Sequence, residues 1–172
     1  PSFSNSAALL NTDEDGSPIV NLSNLTTSQY TITKAGKYSF KGNFNGSIVV
    51  ESCGDGNVQL FLNGVTITPS STSSLPAILF KKTTGKRIIT IKENTTNILK
   101  DGAKNYGEDY DEAVICSRRS SLAINGNGKL ILEGVAINSS GIKVKQELRI
   151  FNSNIEINAK NNGIKADDLV YI

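Results

Sequence analysis

Four carboxylates crowd into one short stretch, Glu108, Asp109, Asp111 and Glu112, with Tyr106 and Tyr110 set among them. Calcium takes roughly six to eight oxygen ligands, and a loop of this composition can supply several. The quartet is therefore the candidate metal site, calcium the candidate ion, and the two tyrosine rings could stack on sugar. Arg118 and Arg119 follow shortly after. A guanidinium grips a carboxylate through two parallel N–H bonds, which suits a uronate. Lys143 and Lys165 sit in matching Gly-Ile-Lys strings 22 residues apart, at Gly141 and Gly163. Stacked lysines repel each other and favour an anionic partner. Each candidate also has a plainer reading. The acidic stretch is then a solvated loop tip, the arginines pair with Asp109 or Asp111, and the lysines form a charged face that discourages aggregation.

Catalysis has little to work with. The chain of 172 residues contains no His and no Trp. A Ser-His or Cys-His nucleophile is excluded, as is His-ligated zinc. A galacturonase-like site would want a His beside spaced carboxylates. A lyase would want a calcium cradle beside a base, a role into which only Asp111, Glu112 and Arg118 could be pressed. The expectation is a protein that is not an enzyme. Eighteen basic residues against sixteen acidic ones argue for neither nucleic acid nor an anionic membrane surface. No apolar run is long enough to span a bilayer. The chain starts without Met and stops inside a pattern, so it reads as a piece of a longer, processed protein.

The residues that position these groups recur. Gly141-Ile-Lys-Val-Lys aligns with Gly163-Ile-Lys-Ala-Asp, and Leu148-Arg-Ile150 aligns with Leu169-Val-Tyr171 if one residue is deleted. Ala113–Ser117, Ala77–Lys81 and Ser47–Glu51 fit the first slot. Leu122–Ile124, Ile89–Ile91 and Leu60–Leu62 fit the second. Val65/Ile67, Leu99, Leu130/Leu132 and Ile155/Ile157 occupy a third. Each slot alternates apolar residues like a half-buried strand, and Asn-Gly pairs such as Asn63-Gly64 and Asn125-Gly126 supply sharp corners. One such coil cannot bury its apolar side, but stacked coils can.

The predicted fold is all-β: a right-handed parallel β-helix with three short strands per coil of about 22–30 residues. A leucine-rich repeat and an antiparallel sandwich fit less well. The first lacks its L-x-x-L-x-L spacing here, and the second would not keep the slots in one order.

The expected inward pairs of the first slot are Ile48/Val50, Ile78/Phe80, Val114/Cys116, Ile142/Val144 and Ile164/Ala166; Leu169/Tyr171 close the second slot. Val49, Leu79 and Ile115 are then outward, as are Ile98 and Ile131 on the third face. Exposed apolar stripes of this kind need a cover. Candidates are the insertions at 68–76 and 100–112, or a neighbouring molecule in a filament. Residues 1–20 read as an N-terminal cap or extended segment, and 21–172 as a single β-helix domain continuing beyond Ile172. Cys53 and Cys116 fall in coils too far apart for a disulfide, with Cys116 expected as inward core filler. Asn21, Asn24, Asn45, Asn94 and Asn138 open N-glycosylation sequons, meaningful only in a secreted eukaryotic chain.

Two sets of strings carry a family resemblance. The first is Tyr38-Ser-Phe-Lys-Gly-Asn-Phe-Asn-Gly-Ser-Ile-Val-Val with Leu60-Phe-Leu-Asn-Gly-Val-Thr-Ile. The second is Leu122-Ala-Ile-Asn-Gly-Asn-Gly-Lys-Leu with the two Gly-Ile-Lys segments. Together they resemble the carbohydrate-binding domain-containing β-helix proteins over about residues 30–172. The resemblance implies a secreted protein that binds polysaccharide of the cellulose or polygalacturonate type and carries calcium. The family's Asp before Gly-Ile is Ser140 and Asn162 here, and its Lys-Asp-Asp run survives only near Lys165, Asp167 and Asp168. Those changes remove carboxylates that the resemblance would assign to calcium.

The functional expectation is a non-catalytic, extracellular or cell-surface polysaccharide-binding protein, with acidic glycan among its partners. The alternative is a structural or adhesive subunit of an extracellular filament or matrix that associates with its own copies. A polysaccharide lyase stands third.

Overall fold

A computed structural model of the chain describes residues 12–14, 16–82, 84–102 and 112–172. Tyr106, Glu108, Asp109, Tyr110 and Asp111 therefore lie outside the described residues. The described chain is all-β, with one 3-10 turn at Leu22–Asn24 and parallel strands in curled sheets. No helix among the described residues is long and apolar enough to cross a membrane.

Short alternating runs cut by Gly and Asn make short strands, and these pair with the equivalent run of the next coil. Strands β2 (Gln29–Ile32), β4 (Ser47–Val50), β6 (Ile78–Phe80), β9 (Ala113–Ser117), β12 (Ser140–Val144) and β15 (Ile164–Ala166) form one six-stranded sheet. A second column holds β3 (Gly36–Phe44), β5 (Val58–Ile67), β7 (Arg87–Ile91), β10 (Leu122–Asn125), β13 (Leu148–Ile150) and β16 (Val170–Tyr171). A third holds β8 (Thr96–Lys100), β11 (Lys129–Glu133) and β14 (Asn154–Asn158), while β1 (Ile19–Asn21) pairs with β3. Columns two and three are one ten-stranded sheet because β5 serves both. Its first half pairs with β7 and its last residues with β8. In later coils the bend becomes a turn. At Gly126 φ is +85°, and a Cβ there would sit 2.2 Å from the carbonyl oxygen of Ile91. Only glycine fits.

Stacking puts equivalent residues into vertical files. Ile48, Ile78, Ile115, Ile142 and Ile164 form the first. Tyr38, Leu60, Ile89, Ile124 and Ile150 form the second. Ile67, Leu99, Leu132 and Ile157 form the third. All belong to one core, whose last rung is only partly covered. Burying each Ile or Leu fully stabilises by about 2 kcal/mol.

The register corrects four expectations. In β9 the inward pair is Ile115 and Ser117, which face Ile78 and Phe80; it is not Val114 and Cys116. Ala-Val-Ile-Cys is apolar in both phases, so alternation alone does not choose between them; Val114 does pack in the main core as expected, but Ile115, not Val114, is the residue in register with Ile78. Ile115 is consequently not outward. Cys116 lies on the outer side, packed with Val49, Leu79, Ala113 and Leu75. At the last rung Leu148 faces Val170, so the step of 22 residues persists without a deletion. Leu169 is exposed instead of inward, and Tyr171 stacks outside under Arg149, 4.2 Å from ring centroid to guanidinium carbon.

Besides Ser117, Asn97 and Arg87 are polar side chains at inward positions. Asn97 is fully buried and satisfied: its Oδ1 accepts from the N–H groups of Gly64 (2.9 Å) and Val65 (3.0 Å), and its Nδ2 donates to Thr95 Oγ1 (2.9 Å). Arg87 stands between Val58 and Leu122. Its Nη1 donates to the carbonyls of Gly56 (2.7 Å) and Lys86 (3.0 Å), but Nε and Nη2 have no partner among the described residues. Burial pushes this guanidinium below its usual range, against the opposing effect of Cys53. A buried charge lacking part of its hydrogen bonding costs stability. Arg87→Met, which fills similar volume without charge, should therefore keep or raise stability, by about 1 kcal/mol or more, in guanidinium denaturation. A loss above roughly 2 kcal/mol would show that the arginine holds the coil together.

Candidate functional site

The six-stranded sheet carries the sequence candidates on its outer face. One outward file runs Val49, Leu79, Cys116, Lys143, Lys165. Its upper members are buried, with Leu75 from the 68–76 insertion packed on them. Part of the apolar stripe is thus covered by the chain's own loop. On the third face, Ile98 and Ile131 are half-buried. The lower members, Lys143 and Lys165, face each other across β12 and β15, Lys143 half-buried and Lys165 exposed. They line a groove of about 90 Å3 together with Glu112, Asn138, Ser140 and Asn161.

A second file follows at the strand ends. Its members are placed by ladder bonds from Lys81 N to Val50 O, Arg118 N to Phe80 O, Lys145 N to Ser117 O and Asp167 N to Val144 O. The outer members are paired, Lys81 Nζ to Glu51 Oε1 at 2.8 Å and Lys145 Nζ to Asp167 Oδ2 at 3.5 Å. Arg118 is half-buried between them and Arg119 is exposed in the turn. The fold therefore gathers Arg118, Lys143 and Lys165 on one sheet face with rungs about 4.8 Å apart. That step is close to the length of one sugar in a glycan chain. An anionic polymer lying along the stack would meet a cation at successive sugars.

Of the proposed metal ligands, only Glu112 is among the described residues. It shares its groove with two ammonium groups, surroundings that disfavour a cation. Among the described residues no cluster of three or more metal-ligating side chains occurs. Asn24, Asn45, Asn94 and Asn138 are exposed, whereas the Asn21 side chain accepts a hydrogen bond from Ser23 N at 3.2 Å.

Sequence reasoning missed a cavity of about 320 Å3 at the corner after β7 and β10, bordered by Phe151. Phe151 follows β13 one rung beyond Asn125, the last residue of β10, but the lining comes from three coils, and no single stretch of the sequence marks it.

Both cysteines are free. Burial pushes the Cys53 thiol up, with Arg87 opposing. Cys116 has no exposure.

A family profile described as "Carbohydrate-binding domain-containing protein" matches residues 26–172. A protein of that same description from Acetivibrio thermocellus is 34% identical over 133 residues, covering 74% of this chain. The chain spans less than half of that relative, 44% of its length. No solved structure matches the chain.

Thiol titration should find Cys116 unreactive in the native protein and two thiols after denaturation. Fewer than two in denaturant would mean that a disulfide has been overlooked.

Proposed function

We propose that this chain, which belongs to the carbohydrate-binding domain-containing protein family, is a non-catalytic extracellular module that holds acidic polysaccharide along a right-handed parallel β-helix. Family membership supports carbohydrate as the ligand. The single observation behind the acidic class is the in-register pairing of Lys143 with Lys165, one rung apart on an open sheet face. Holding two like charges side by side raises the local potential, and a uronate chain would relieve it at these two rungs. Arg118 borders the same face and adds a bidentate carboxylate donor. The Lys145–Asp167 pair limits the strip at its lower end.

Binding by exposed cations is sensitive to salt. No chemical step is needed for such holding, and the sequence contains no His. Calcium is not required by this arrangement, because Glu112 faces lysines.

Polygalacturonate pull-down and calorimetry test the reading. Lys143→Glu with Lys165→Glu should weaken binding at least tenfold, and raised salt should weaken the wild type. Binding should survive EGTA. Wild-type-like affinity in the double variant would remove the strip as the site. Loss of binding in EGTA would move the site to a calcium loop at 108–112.

A further inference from the structure

We propose that the corner after β7, β10 and β13 is a second subsite, one that takes an uncharged sugar ring, with Phe151 as its stacking platform and Glu93 and Asn127 as its hydroxyl partners. The inference rests on the carbohydrate reading above but uses none of the residues of the basic strip.

The geometry begins with the ladder. Phe151 N–H donates to the carbonyl of Ile124 at 2.8 Å, which sets Phe151 one rung beyond Asn125 in the same outward file. Phe151 is 48% exposed and lines the cavity of about 320 Å3. A rung-locked aromatic ring half in water beside a polar hollow is the arrangement that accepts the C–H face of a pyranose. The hollow has room for a sugar ring.

Its lining includes Thr90 and Asn125, and these are held in place: Thr90 Oγ1 donates to Asn125 Oδ1 at 2.6 Å and accepts from Gln59 Nε2, one rung away, at 2.8 Å. All three residues are buried, which limits the ordering that a ligand would have to impose on them. At the rim Asn127 Nδ2 donates to Glu93 Oε1 at 3.4 Å, a long bond between two exposed side chains that hydroxyl groups can replace. A carboxylate and an amide together offer both acceptors and donors, as sugar hydroxyls require.

Charge selects the class of sugar. The rim carries Lys92 and Glu93, and Lys92 Nζ already lies 3.8 Å from Glu14 Oε2. There is no cationic excess to hold a uronate, and Glu93 would repel one. The two surfaces thus differ in kind: a basic strip on the first sheet for anionic chain, an aromatic, amide-rich corner on the second for neutral sugar.

Calorimetry of the full chain with neutral hexasaccharides of β-1,4-glucan, β-1,4-mannan and β-1,4-xylan tests this. The wild type should bind at least one of them. Phe151→Ala should weaken that binding at least tenfold, Phe151→Tyr should retain it, and Glu93→Gln with Asn127→Ala should weaken it as well. Polygalacturonate binding and the thermal midpoint of Phe151→Ala should match the wild type. Absence of neutral-sugar binding by the wild type, or undiminished binding by Phe151→Ala, overturns the subsite. Failure of polygalacturonate binding alone removes the basic strip and leaves the subsite standing.

Discussion

Parallel pairing of each coil with the next fixes a side chain by two coordinates, its rung and its file. Once Ile78 faces Ile115 and Ile115 faces Ile142, every neighbour in those strands is assigned to the inside or the outside. The core and the candidate surfaces are consequences of the same register. A slip of one residue would bring Lys143 into the core and turn Ile142 into solvent. The cost of burying an ammonium is what makes that register unique.

Polar residues mark where the stack had to be reconciled with its corners. Asn97 ties the bend of β5 to the next coil by bonding Gly64 and Val65, so the corner's orphaned N–H groups are satisfied from within. Ser117 does similar work in the first sheet, its hydroxyl donating to the Ser120 carbonyl at 2.8 Å. Arg87 is less well matched to its place. The coil accepts it because Gly56 and Lys86 turn carbonyls toward it. Outside the core, the same ladder sets Lys143 beside Lys165, one rung apart.

Much of the fold was legible in the sequence. The three slots, their order and most inward residues followed from alternation and from Gly and Asn at corners. What failed were places where the pattern carried no phase. Ala113 to Cys116 is apolar throughout, and only pairing with Ser140 and Ile142 shows which side faces in. Leu169-Val170-Tyr171 has the same ambiguity, resolved by Leu148 facing Val170. The Lys143–Lys165 pairing was readable because a charged residue between two apolar ones has one sensible phase. The Phe151 corner was not readable, because its parts come from three coils and meet only after stacking.

The stacked register can be tested with paired cysteines and a short thiol cross-linker. Ile131 and Glu156 face each other on the outside of the third column, whereas Asn158 faces Glu133, two positions along. Cross-linking should be rapid and intramolecular in Ile131→Cys/Glu156→Cys and weak in Ile131→Cys/Asn158→Cys. Equal reaction of the two pairs, or reaction of the second alone, would contradict the stack on which both proposed surfaces stand.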